Sequence, residues 1–308
     1  MSALRFSGIM PANILPFTAD LEIDEPAYRK HMRWLADTRG VTAIVANGHA
    51  AEVSSLTRDE RKRALAIALD EVGARCPIVA GVYSDGTREA VELAKDAKRL
   101  GAKGVLVFPP TLFMWGAQIK PDMAVKHFSE IASGADIPMI VFQYPLASGI
   151  GYTPETLARL AEIPHVAAVK EWSNEIVGFE RGLRAVRATR KPVAILSAFT
   201  MSLMASFMLG ADCAISGMGS VTADLQVELF EACAKGDVEQ ARAINDRLDP
   251  LVRVFYQPPF VDMHNRMKEA LVMLGRIPAA HVRPPLTPVS AAEREQIRVA
   301  LAAANLSR

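Results

Sequence analysis

Residues 77–108, PIVAGVYSDGTREAVELAKDAKRLGAKGVLVF, decide the fold. Two short and almost wholly apolar runs, PIVAGV and KGVLVF, bracket a segment of helical periodicity that opens at Thr87 and closes at Gly101. A strand with one wet face alternates apolar and polar residues. A run that is apolar throughout needs cover on both faces, as the strands of a parallel sheet do. Thr near the start offers an oxygen to the first free amides of a helix, and Gly just past the end accepts the left-handed turn that stops it. The stretch therefore reads as β, α, β.

The same unit recurs in both directions. Further apolar runs are GIMPANILPF (8–17), VTAIVA (41–46), IPMIVF (137–142), VAAVK (166–170), PVAILS (192–197) and DCAISG (212–217). Between them lie helical segments such as EPAYRKHMRWLADTRG and TRDERKRALAIALDEVG. Strand starts fall roughly 20 to 36 residues apart, the scale of a strand, a helix and two turns, and eight such units fit a closed barrel. An open doubly wound sheet is the structural alternative, which the lack of a GxGxxG after the first run disfavours. Beyond Gly217 the strand signal stops, and 221–236, 237–256, 263–274 and 290–304 all read as helix. The sequence thus predicts an α/β chain: a (β/α)8 TIM barrel over 1–220 with a C-terminal helical extension, 221–308, packed on it. YQPPFVD and RPPLTPVS are read as turns inside that extension.

Composition removes several function classes. The chain has 308 residues, enough for a core that needs no disulfide or metal staple. Its 35 Lys and Arg balance 34 Asp and Glu, so it lacks the charge footprint of a nucleic-acid or membrane-surface binder. Cys76, Cys213 and Cys233 are odd in number and show no CxxC or Cys/His spacing, which suits a reducing, cytoplasmic compartment. No run reaches the ~18 apolar residues of a membrane span, and the N-terminus carries no targeting pattern. HExxH, paired Asp/His spacing and a P-loop are all absent from the sequence, so no metal and no cofactor is expected.

In such a barrel reactive groups sit at the carboxyl ends of strands. The candidates by position are Asn47, His49 and Glu52 after the second strand, Phe142, Gln143 and Tyr144 at the fifth, and Lys170, Glu171 and Trp172 at the sixth. Lys170 closes an apolar run, where burial favours a neutral, nucleophilic amine of the kind an imine-forming lysine needs. Position alone leaves the other reading open, a lysine that reaches solvent or pairs with Glu171 or Glu52. His31, His127, His165, His264 and His281 fall on helices or before strands and are expected away from the barrel mouth.

Six segments in order resemble the dihydrodipicolinate synthase and N-acetylneuraminate lyase superfamily of class I aldolases over essentially the whole chain. GIMPANILPF resembles its first strand, GHAAEVSSLT (48–57) its G-[TS]-T-G-E-x-x-x-L-T loop, and GVLVFPP its fourth strand. IPMIVFQYPLASG resembles the strand ending in Y-N-x-P-x-x-[TS]-G, VAAVKEWS the lysine strand, and LGADCAISG the last strand. The resemblance implies Lys170 as the Schiff-base residue, a 2-oxo acid as small-molecule substrate, and a homotetramer built as a dimer of dimers.

The chain departs from that pattern where specificity resides. The family Tyr position is Phe142, the loop hydroxyls are His49, Ala50 and Ala51, and the positions after strand four are Thr111 and Leu112. The synthase's substrate-holding Arg is Ala147, which argues against lysine-biosynthetic synthase activity. His49 and Tyr144 are the candidates to move protons, since Tyr144 lies two residues past Phe142 on the same strand face. Gly48 and Ala50 resemble the carboxylate-holding amides, and Phe142, Gln143, Ser197, Ser216 and Gly217 are expected substrate contacts. Glu52 is expected to anchor the loop. The missing Tyr favours a class I lyase that dehydrates or cleaves a 2-keto-3-deoxy sugar acid. Within the class the alternative is a pyruvate-dependent aldolase of the neuraminate lyase, hydratase-aldolase or synthase-like type. Outside it stands a non-catalytic 2-oxo-acid binder.

Overall fold

The structure, a computed structural model, describes residues 4–306. The ends of the two expected ranges, 1–3 and 307–308, lie outside the described residues. All eight apolar runs contain a strand: β1 Ile9–Pro11, β2 Ile44–Ala46, β3 Ile78–Val82, β4 Gly104–Val107, β5 Met139–Gln143, β6 Val166–Glu171, β7 Ala194–Ser197 and β8 Cys213–Ser216. They pair in parallel, each with the next in sequence from β2 to β8, and β8 pairs with β1. Bridges from Ile9 to Val41 and from Ala12 to Val45 join β1 to the β2 region and complete the ring. Almost every strand residue is buried, as apolar runs covered on both faces must be.

The helices form where their end signals are strongest. In α2 (Arg58–Val72) Thr57 accepts the Glu60 amide while Glu60 returns to the Thr57 amide, a reciprocal cap. In α3 (Thr87–Leu100) the chain stops at Gly101, whose φ of 106° is the left-handed turn that glycine takes without strain. α1 (Glu25–Asp37), α4 (Pro121–Ala135), α5 (Pro154–Ala161), α6 (Ile176–Arg187), α7 (Leu203–Met208) and α8 (Gly219–Lys235) complete the outer layer. α8 packs on β1 and β8, so it is the eighth helix of the barrel, and the additional helices begin with α9 (Val238–Phe255). α10 (Met263–Met273) and α11 (Ala291–Ala303) follow, and α9, α10 and α11 pack on one another. No described helix is long and apolar enough to cross a membrane.

One buried ion pair fixes where this extension sits. Glu52, in the loop after β2, holds a left-handed φ of 53° that points its carboxylate inward. There it accepts hydrogen bonds from Lys268 Nζ of α10 at 2.5 Å and from the Arg283 backbone N–H at 2.9 Å. Lys268 also donates to the His281 carbonyl, and Arg283 to the Leu21 carbonyl and the Glu60 carboxylate. The Lys268 and Glu52 side chains are only 1% and 3% exposed. Removing one partner of such a pair strands a buried charge, so Glu52→Ala should cost about 3–5 kcal/mol. The measurement is the urea midpoint, and the apolar double substitution Glu52→Leu/Lys268→Met should recover much of that loss.

Candidate active site

Strand register sorts the expected residues into two rows. Phe142 pairs with Lys170 and Lys170 with Leu196, while Gln143 pairs with Glu171 and Glu171 with Ser197. Alternation puts the first row on the barrel side and the second on the helix side. Lys170 consequently faces a cavity of about 330 Å3 at the carboxyl ends of the strands, together with His49, Ala50, Phe142, Tyr144, Trp172 and Gly217.

The outward row does other things. Gln143 exchanges hydrogen bonds with the Tyr152 backbone at 2.8 Å in both directions. Glu171 accepts from Ser173 N–H and Oγ, and its burial raises its carboxyl to about 7. Ser197 Oγ accepts from Ser206 Oγ, and Ser216 Oγ from the Gly219 N–H and Gln226 Nε2. The expectation that Gln143, Ser197 and Ser216 contact substrate is thereby corrected: their polar atoms hold loops, and none lines the cavity. Gly48 is also off the wall; its carbonyl accepts from Ala51 and Val53.

Lys170 is 8% exposed and has no hydrogen-bond or ion-pair partner among the described residues. The carboxylates that could have paired with it are engaged elsewhere, Glu171 by Ser173 and Glu52 by Lys268. Burial therefore acts without compensation and lowers the amine from 10.5 to about 7. Its Nζ lies 3.7 Å from the centroid of the Phe142 ring.

The phenol missing at position 142 reappears two residues on. Tyr144 shares a short hydrogen bond between its Oη and His49 Nε2. Rings hold both in place: His49 stands 4.8 Å from Phe108, and Tyr144 4.4 Å from Phe142 and 5.4 Å from Trp172. Burial, helped by the positive charge at Lys170, lowers His49 from 6.5 to about 3, so the imidazole is neutral at physiological pH. Burial also raises the Tyr144 phenol well above 10, so it keeps its proton. The backbone N–H groups of His49 and Ala50 have no acceptor among the described residues and border the same cavity. Asn47 is off the wall, its amide donating to the Arg61 carbonyl. Gly81 is required beside it, because a Cβ there would come within 2.0 Å of the Asn47 carbonyl oxygen.

His264 is the principal residue that sequence reasoning misplaced. It was expected away from the mouth, yet α10 carries it into the cavity wall, where a Cβ on Gly217 would come within 2.9 Å of its Nε2. Burial lowers it to about 3, and the neighbouring titratable groups of His49, Lys170 and Lys268 act in the same direction. Thr200, Tyr256, Phe260, Val261 and Met263 also line the cavity. The turn YQPPFVD was visible in the sequence, but nothing local to it says that it folds over a strand end 40 residues earlier. No group of three or more metal-ligating side chains occurs among the described residues.

Fold and site define an enzyme of the (β/α)8 class with its chemistry at the strand carboxyl ends. The profile of the dihydrodipicolinate synthetase family matches residues 5–304. A 4-hydroxy-tetrahydrodipicolinate synthase of Methanopyrus kandleri is 32% identical, over 96% of this chain and 95% of its own. An Escherichia coli K12 protein, by name a provisional 2-dehydro-3-deoxy-D-gluconate aldolase, is 28% identical over 96% of each chain. Its crystal structure in complex with pyruvate superposes with a TM-score of 0.88, covering 98% of this chain and 99% of that one. The chloride-inhibited synthase of Acinetobacter baumannii with pyruvate gives 0.87 at 26% identity, over 98% and 100%. The chain belongs to the dihydrodipicolinate synthetase family and is an enzyme of the lyase class.

The uncompensated amine has a thermodynamic signature. Its folded pKa of about 7 lies below the unfolded 10.5, so its burial costs stability fully below pH 7 and the cost fades as pH rises to 10.5. Lys170→Met should therefore raise stability at pH 7 by on the order of 2–4 kcal/mol. The check is a set of urea titrations at several pH values, in which the gap between variant and parent should close by about pH 10.5.

Proposed function

We propose that the chain is a class I aldol-type lyase acting on a pyruvate adduct through an imine at Lys170. The observation that carries the reading is the buried, unpaired amine with its pKa near 7. At neutral pH about half of such a population is the free amine, against less than one part in a thousand for an ordinary lysine. Support comes also from the relatives, one named an aldolase and two solved with pyruvate.

The steps follow from the groups at hand. Lys170 Nζ adds to the C2 carbonyl, and loss of water from the carbinolamine leaves an iminium. The substrate carboxylate is held by the two free N–H groups of His49 and Ala50. Tyr144 gives its proton to the departing carbinolamine oxygen, and the phenolate so formed takes the proton from the C4 hydroxyl as the C3–C4 bond breaks and its electron pair moves into the iminium to give an enamine and an aldehyde. Protonation at C3 and hydrolysis release pyruvate and the free amine. Tyr144 handles these protons, because it carries a phenol hydrogen-bonded to an imidazole and lines the cavity that holds the amine. His49, at about 3, is too weak a base to act alone and serves to orient and polarise the phenol.

The expectation of a dehydratase or atypical aldolase rests in part on the loss of the phenol at position 142. Tyr144 supplies a phenol in the same cavity, which favours aldol cleavage. The synthase reading still lacks a cation for a second carboxylate, since position 147 is Ala on an exposed loop.

Borohydride with pyruvate should leave a reduced adduct on Lys170, located by peptide mass spectrometry. The trapping rate should rise with pH through a midpoint near 7 and level off above it, because only the free amine attacks. Tyr144→Phe should still form the imine but lose about 10²–10⁴-fold in turnover. Absence of any adduct on Lys170 would overturn the reading.

A further inference from the structure

We infer that the substrate of this site is a pyruvate adduct whose chain beyond the reacting carbons ends in an apolar group of ring size. The inference rests on the imine reading above and adds what the rest of the cavity accepts. Besides the amine and the polar groups considered below, the wall includes Ile215, Trp172, Met263, Leu286, Phe260 and Val261. The last two lie on the turn Phe260–Asp262 and remain 41% and 64% exposed, large apolar side chains presented at the mouth. Together they make an apolar rim continuous with the interior of a binding site, the setting in which exposed hydrophobic surface marks a ligand.

Charge argues in the same direction. Lys170 is the one Lys or Arg on the wall among the described residues, and the imine consumes it as a partner. Lys268, the partner of the cavity-lining Glu52, is already tied to that carboxylate and to the His281 carbonyl. Glu52 itself borders the cavity, so a second substrate carboxylate would meet like charge and no counter-ion.

Polar satisfaction disfavours a sugar chain for a related reason. Every buried hydroxyl of a polyol needs a partner, and most polar groups on the wall are engaged. Tyr144 is bonded to His49, and Thr200 lies within hydrogen-bond reach of the Ala198 carbonyl and Ser216 Oγ. Tyr256 is bonded to Thr200 and to the Met218 backbone. What remains uncommitted is the His264 ring, the Trp172 indole N–H and, on the exposed edge, Ser54, fewer partners than a chain of hydroxyls, each both donor and acceptor, would take up. Space is sufficient: a cavity of about 150 Å3 holds a benzene ring, and this one offers about 330 Å3.

The test uses the full-length protein and two defined aldol adducts of pyruvate. One is the benzaldehyde adduct, 4-hydroxy-4-phenyl-2-oxobutanoate; the other is 2-keto-3-deoxygluconate. Pyruvate release from each is followed in a coupled assay. The aryl adduct should be favoured by about 100-fold in kcat/KM. Phe260→Ser should narrow that ratio about tenfold, acting through KM, and Val261→Asp, at an exposed position where folding is safe, should narrow it similarly. Equal rates, a preference for the polyol, or no turnover of the aryl adduct would each overturn the inference. Borohydride trapping of pyruvate on Lys170 separates the two levels. An adduct without aryl preference defeats the substrate class alone, and no adduct defeats the imine reading together with it.

Discussion

The buried contact between Glu52 and Lys268 is the constraint through which barrel and extension become one site. A carboxylate inside the protein is tolerable only with its charge and lone pairs satisfied, and Glu52 obtains this from α10 and from the Arg283 backbone. To present that carboxylate inward, Glu52 adopts a left-handed conformation. The same turn of chain sets the short helical turn His49–Ala51, and with it the imidazole and the two free N–H groups at the cavity. On the other side of the pair, α10 is held down so that His264 reaches Gly217. An apolar pair of similar size could hold the elements together as firmly. The ion pair adds direction, since a lysine and a carboxylate satisfy each other only in one register of helix on barrel.

What could be read from sequence is what local physics dictates. Eight apolar runs each needed cover on two faces, and each contains a strand. Lys170 stood out because an amine at the end of VAAVK conflicts with its surroundings, and conflicts of that kind mark functional positions. The failures share one cause, the face a side chain presents. Ser197 and Gln143 were placed at strand ends correctly, but the register that puts them beside Glu171 turns them outward. A shift of one residue reverses every assignment of this kind. Strand boundaries from composition are not that sharp.

His264 was illegible for a different reason. Its neighbours in the site, Gly217 and Lys170, are set by tertiary docking of α10, and a helix that packs on a barrel mouth has the same amphipathic pattern as one that packs on its flank. The reverse case is Tyr144. Comparison of Phe142 with the family pattern suggested a lost proton relay, while strand alternation alone put residue 144 on the same face as residue 142. Tyr144 indeed lines the cavity, with His49 bonded to it. Position on a face carried more information here than identity at an aligned position.

The site also has an electrostatic order that its resting state only half displays. With an amine that is neutral in about half the molecules near pH 7, a neutral imidazole and a protonated phenol, the groups around Lys170 carry one charge at most, as a poorly solvated space favours. An iminium differs from an ammonium in that it cannot relieve its charge by releasing a proton to water. Its formation therefore imposes a fixed cation beside Tyr144 in a medium where such charges act strongly. That cation favours the substrate carboxylate at the free N–H groups of His49 and Ala50, and it favours phenolate over phenol. The phenol that burial keeps protonated at rest thus becomes a better acid only once the intermediate exists. His49, which accepts no proton of its own near neutral pH, is suited to this because it can hold a hydrogen bond to the phenol without adding charge. On this view the aromatic box around Lys170 serves to make the proton relay depend on the imine, so that acid and base strength appear where and when the bond is broken.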